Sequence, residues 1–160
     1  PAALAAAERL LLAQRPRVLT YAASSTARDL LVSGDAVVVH NYSGDVLMAR
    51  DEAPAVRYVI PREGAILWTD NLVIPAGAPH RYAAHVFINF LLDPDVGARL
   101  SRFTRYATPN AAAFQRLDPA LRADPAIYPD STTRARLHLI EDVGAARALY
   151  DRIWTRLRGG

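Results

Sequence analysis

Stretches with apolar residues at helical spacing alternate along this chain with short β-branched runs. Residues 2–14 place Leu4, Ala7, Leu10 and Leu11 at that spacing, which predicts a helix that Pro16 stops. Val18 to Tyr21 follows as a short strand candidate. Ser24, Ser25 and Thr26 supply N-caps for a second helix through Leu31, closed by Ser33-Gly34. Ala36 to His40 is a β-branched run of the kind found in buried strands. It ends in Asn41-Tyr42-Ser43-Gly44-Asp45, and a helix through about Asp51 comes next.

The second half continues the alternation. Arg57 to Ile60 reads as a strand, broken by Pro61 and the Arg62-Glu63-Gly64 turn. Ala65 to Ile74 reads as a long apolar strand interrupted at Thr69-Asp70-Asn71, and Pro75 to Pro79 as a loop. From Tyr82 to Leu92, Ala83, Val86, Phe87, Phe90 and Leu91 predict an amphipathic helix. Asp93-Pro94 is a cap followed by proline at the first helical position, and Asp118-Pro119 and Asp124-Pro125 repeat the device. A last helix runs from about Gly144 to Leu157, with Ala145, Leu149, Ile153 and Trp154 on its apolar side. Strands alternating with helices predict an α/β architecture. No repeat or low-complexity linker interrupts it.

Composition narrows the classes. Of 160 residues 51% are hydrophobic, enough for a core. No apolar run approaches the ~20 residues of a membrane span. With no cysteine, disulfide frameworks, zinc ribbons and thiol catalysis are excluded. The 19 basic residues, all arginine, stand against 16 acidic ones and are scattered singly or in pairs. Nucleic-acid binding requires a clustered positive face set with aromatics, so no nucleic-acid partner is expected. Pro1-Ala2-Ala3-Leu4 has neither an initiator methionine nor the form of a signal peptide, so the chain is expected to be either processed or a fragment of a longer protein.

Catalytic constellations are missing too. His80 and His85 are five apart, a poor fit to one helical face, and His40 and His138 stand alone. No H-E-x-x-H is present, and Ser43 lacks the G-x-S-x-G elbow. His and carboxylates form no recognisable metal spacing. The expectation is a protein without catalytic residues, metal or cofactor.

Four stretches carry a resemblance. They are Tyr42-Ser43-Gly44-Asp45; Pro61-Arg62-Glu63-Gly64 with Trp68-Thr69-Asp70; Ile88 to Val96; and Tyr106-Ala107-Thr108-Pro109-Asn110 with Ile127-Tyr128-Pro129 and Asp142-Val143-Gly144. In that order they resemble the C-terminal half of periplasmic spermidine/putrescine-binding proteins, the solute-capturing components of ABC importers. The resemblance implies a type II periplasmic-binding-protein fold of two α/β lobes and a hinge. Residues 1–68 would belong to the C-terminal lobe, 69–115 to the N-terminal lobe, and 116–160 to the C-terminal lobe again. It further implies a polyamine ligand, putrescine or spermidine, an ABC permease as partner, a periplasmic or extracytoplasmic location, and a monomer at full length.

A polyamine is a methylene chain carrying ammonium groups, so its site needs carboxylates and aromatic faces. Each cation–π contact is worth about 0.5–2 kcal/mol. The resemblance makes Tyr42, Asp45, Trp68, Asp70 and Tyr106 the ligand-binding residues. Trp68 and Asp70, at i and i+2 of a strand, would share a face and could hold an ammonium between them. From spacing alone, Trp68 instead packs the core and Asp70 turns the chain. Asp45, at a strand-to-helix turn, reads equally as a ligand carboxylate or, like Ser43, as an N-cap. Where some relatives place a ligand-contacting Gln, this chain has Ile140, which weakens the case for a long, triply charged polyamine. Competing solutes of the same fold are iron(III), thiamine, phosphonates or amino acids, and a phosphate-like ligand could use the Ser24-Ser25-Thr26 turn. A non-transport sensor module is the remaining alternative.

Overall fold

The computed structural model describes residues 2–159. Its helices are α1 (Ala2–Gln14), α2 (Ser24–Ser33), α3 (Ser43–Glu52), α4 (Arg81–Leu91), α5 (Pro94–Thr104), α6 (Ala111–Gln115), α7 (Pro119–Arg122), α8 (Ser131–Arg134) and α9 (Arg147–Gly159). Strands β1 (Ala65–Leu67) and β2 (Leu137–Leu139) pair in parallel, Ala65 against Leu137 and Leu67 against Leu139.

The predicted helices form where periodicity and capping agree. Pro16 ends α1 inside a single 3-10 turn, Arg15–Arg17. Gly34 closes α2 at φ +84°, the left-handed conformation glycine adopts without penalty. Asp93 caps α5 by accepting from the backbone N–H groups of Asp95 (2.8 Å) and Val96 (3.2 Å), with Pro94 opening the helix. Other expected caps are corrected. Ser24 is already inside α2, whose N-cap is Ala23 and carries no side-chain bond. Asp118 holds the N-cap position of α7 but gives its carboxylate to Arg102 instead. Asp124-Pro125 opens only a turn, Asp124 accepting from Ala126 N–H at 2.9 Å.

The strand expectations are largely overturned. Val18–Tyr21, Ala36–His40 and Arg57–Ile60 are not strands, and of Ala65–Ile74 only the first three residues pair. A β-branched run becomes a strand only when a neighbour accepts its backbone bonds, and burial drives that pairing. Here Val37 and Val38 are 89% and 86% exposed, and Val59 and Val73 lie open as well. These segments hold apolar side chains with no sheet beneath them. β1 and β2 find each other because Gly64, at φ +103°, lets the backbone close onto the Arg136 carbonyl.

Most of the buried apolar side chains gather in two places. Ala98, Ala113 and Leu117, flanked by Phe114 and Tyr128, join α5, α6 and the chain that follows. Val46, Leu47 and Ala49 form the buried side of α3. Asn110 ties the first group together: its side chain caps α6 and donates to the Leu92 carbonyl at 2.8 Å. The amphipathic α4 forms as predicted, yet Val86, Phe87 and Phe90 on its apolar side are exposed.

Candidate ligand-binding site

Three aromatic rings meet at one place. Trp68 stands edge-on to Tyr42 on one side and to Tyr106 on the other, with ring centroids 5.5 Å apart in both pairs. Such edge-to-face pairs add about 0.5–1.5 kcal/mol each beyond area burial. Trp68 is half-buried, Tyr42 exposed and Tyr106 half-buried, so the cluster is rooted in the fold and open at one end. Residues far apart in sequence are brought here by three elements: Tyr42 precedes α3, Trp68 follows β1, and Tyr106 follows α5.

α3 supplies the charge. It starts at Ser43, with Tyr42 at the N-cap position and no side-chain cap bond. Neither Ser43 nor Asp45 is therefore the cap, which leaves the Asp45 carboxylate free in the first turn. The positive end of the helix dipole favours an anion there. Its neighbourhood is read by Tyr106, whose phenol is pushed up to about 12, first by burial and then by the Asp45 charge and Tyr42. The Asp45 backbone N–H, directed at the phenol oxygen, offsets part of that rise. Tyr106 thus stays neutral throughout the physiological range beside a carboxylate.

Gly44 sets how closely these parts approach. A Cβ on Gly44 would lie 2.6 Å from the Tyr106 ring and 2.7 Å from the Thr104 carbonyl oxygen. Only hydrogen fits. The Tyr106 backbone is fixed from both sides: the buried Ser101 hydroxyl donates to its carbonyl at 2.5 Å, and its N–H donates to Thr104 Oγ1 at 3.4 Å. Arg105 between them is the one non-glycine residue at positive φ among those described, at φ 60° and ψ 18°. That conformation costs an L-residue about 1–2 kcal/mol. Downstream, the Tyr128 hydroxyl accepts from Thr108 N–H at 3.1 Å and holds the turn after Tyr106.

Of the five residues expected from sequence, the structure brings Tyr42, Asp45, Trp68 and Tyr106 together. Asp70 is placed differently. β1 ends at Leu67, its last ladder bond running from Ile140 N–H to the Leu67 carbonyl at 3.2 Å. Trp68 and Asp70 therefore lie in irregular chain, and the strand argument for a shared face does not apply. Asp70 is exposed. Sequence reasoning missed Tyr58, a half-buried residue whose phenol is raised by burial and whose charge state is felt at Tyr106. Its only sequence signal was a place in a run read as a strand.

The assembly is a partly buried cluster of aromatic rings beside one carboxylate, groups suited to a small organic cation. No group of three or more His, Asp or Glu side chains among the described residues could hold a metal ion. Among the described residues no helix is long and apolar enough to cross a membrane.

Known proteins similar to this chain are solute-binding proteins. The chain is 35% identical over 159 residues to a putrescine/cadaverine-binding protein of Pseudomonas aeruginosa, covering 95% of this chain and 45% of that one. It is 34% identical over 158 residues to spermidine/putrescine-binding periplasmic protein 1 of Haemophilus influenzae, covering 99% and 44% respectively. A solved spermidine/putrescine ABC transporter substrate-binding protein from Streptococcus pneumoniae superposes with a TM-score of 0.68 at 25% identity, over 81% of this chain and 41% of that one. The fold is thus that of periplasmic solute-binding proteins, and the chain spans about half the length of the relatives it matches. Residues 1–129 match the bacterial extracellular solute-binding protein family, and the chain belongs to that family.

Proposed function

We propose that this chain is the C-terminal part of an extracytoplasmic binding protein that captures a polyamine and delivers it to an ABC-type permease. The observation that carries the reading is the Tyr42–Trp68–Tyr106 ring cluster with Asp45 against it. An ammonium gains cation–π attraction from the rings and a counter-charge from the carboxylate, and the adjoining methylenes lie on ring surface. The names of the relatives, binders of putrescine, cadaverine or spermidine, point the same way. A periplasmic location accords with the Haemophilus relative's name.

Tyr42, Asp45, Trp68 and Tyr106 contact the ligand in this reading, and Asp70 lies at the rim. The lobe assignment also belongs to it. α4, α5 and α6 pack on one another within 69–115, while β1 and β2 bring residues 65–67 to 137–139 from outside that span. The remaining wall of the cleft would come from the part of the protein beyond this chain. The full-length protein acts as a monomeric carrier and catalyses nothing.

The test is a thermal-shift and calorimetry panel on the full-length protein with putrescine, spermidine, an amino acid and phosphate. A ligand that binds the native state raises stability by RT ln(1 + [L]/Kd). The amines should raise the melting temperature. A response to phosphate or to the amino acid, with none to either amine, would overturn the assignment.

A further inference from the structure

We propose that Arg105 is a positioning residue for the amine site, acting through an ion pair with Asp51 that holds Tyr106 in place. The proposal rests on the reading of the ring cluster as a ligand site. It starts from the geometry of α3. Gly44 and Asp51 are seven residues apart, two turns of helix, and so lie on the same face. The chain leaving α5 touches that face at both points. Near the start of α3, the Tyr106 ring and Thr104 carbonyl close on Gly44. Near its end, Arg105 Nη2 reaches Asp51 Oδ2 at 2.6 Å.

One attachment leaves the segment free to pivot about Gly44. Two attachments fix its direction along α3, and with it the angle at which Tyr106 meets Trp68 and approaches Asp45. The left-handed backbone at Arg105 supports the same view. A glycine would adopt φ 60° without strain, yet the position holds an arginine whose side chain is engaged. Ser101 and Thr104 secure the Tyr106 backbone to its own helix. Those two bonds stay within α5 and the turn after it, so beyond the close approach at Gly44 the tie between that helix end and the Asp45-bearing helix is the Arg105–Asp51 pair.

The experiment uses the full-length protein labelled with 3-fluorotyrosine, the Tyr106 resonance being assigned by Y106F. Calorimetry with putrescine runs in parallel. R105A, D51A and R105G should each shift the Tyr106 fluorine resonance, because its ring moves against Trp68. Each should weaken putrescine binding about two- to fivefold, the scale of a partly exposed pair. R105G relieves the backbone strain yet should lose as much as R105A, separating the pair from the turn. The exchanged pair D51R/R105D should recover resonance and affinity. In a Y106A background, R105A should change affinity no further. An unshifted resonance in R105A, or a loss in R105A that adds fully to that of Y106A, overturns the proposal. Should the wild type bind no amine, the amine reading falls, and the fluorine shifts alone still decide whether Arg105 positions Tyr106.

Discussion

A single hydrogen atom at position 44 decides whether the ring cluster can exist. Gly44 needs no unusual φ; its role is the space it leaves for the Tyr106 ring and the Thr104 carbonyl. Because one of those neighbours is backbone, Gly44→Ala cannot be absorbed by a side-chain rotation. It should destabilise the protein by about 1–3 kcal/mol, the usual range for overpacking, and weaken amine binding more than tenfold. Chemical denaturation and calorimetry on the same sample check both effects. At the neighbouring position the expectation is electrostatic. Asp45→Asn leaves the shape unchanged and removes the charge, so amine affinity should fall by about 2–5 kcal/mol with the fold intact by circular dichroism. Asp70 is exposed, where a charge contributes at rim scale, and Asp70→Asn should cost about 1 kcal/mol or less. Equal losses at 45 and 70 would show that the two acids share the site evenly.

At the scale of elements, helices were legible in the sequence and strands were not. A helix satisfies its backbone bonds within itself, so capping residues and a 3.6-residue period nearly define it. Asp93-Pro94 and Ser33-Gly34 show this, and α4 formed over almost the predicted residues. A strand depends on a neighbour that its own residues do not encode. Ala36–His40 has the composition of a buried strand and lies open for want of one. At the candidate site, the helix start at Tyr42 to Asp45 was legible, whereas the strand geometry read at Trp68 and Asp70 did not form. Tyr58 went unnoticed because its proximity to Tyr106 arises only in the folded chain. Two of the three aspartates preceding prolines make a matched test of what a cap contributes. Asp93 accepts two backbone bonds, so Asp93→Ala should cost about 1 kcal/mol. Asp118 accepts none and meets Arg102 in an exposed pair, so Asp118→Ala should cost a few tenths of a kcal/mol at most. Urea denaturation midpoints at constant slope would order the two, and the reverse order would contradict this account of capping.

For the whole molecule, the balance of exposed apolar chain against a small buried core makes each long-range tie count. Arg50 Nη2 and Asp124 Oδ2, 74 residues apart, meet at 2.7 Å and join the end of α3 to the turn after α7. Asp124 is nearly covered, and burial by itself would raise its carboxyl. The hydrogen bond and charge of Arg50, with the Ala126 N–H, outweigh that and hold it below the usual carboxylate range. The sign of the pH effect follows. A carboxyl lowered in the folded state binds fewer protons there than in the unfolded chain, so its stabilisation is complete above the ordinary aspartate value of about 4. It is lost as pH falls from there through the lowered folded value. Asp124→Asn should therefore reduce stability at pH 7 by about 1–3 kcal/mol, since it leaves Arg50 without its partner. It should also flatten the acid limb, so that variant and wild type converge as pH drops below 4. Arg50→Ala should let burial raise the carboxyl, so the variant's stability should rise with acid in the range above pH 4 and level off below it, where the wild type's falls. Urea unfolding between pH 2 and 7 distinguishes these cases. Parallel acid limbs for wild type and Asp124→Asn would mean that the coupling between α3 and the distal turn is carried by packing, and that the ion pair is incidental to it.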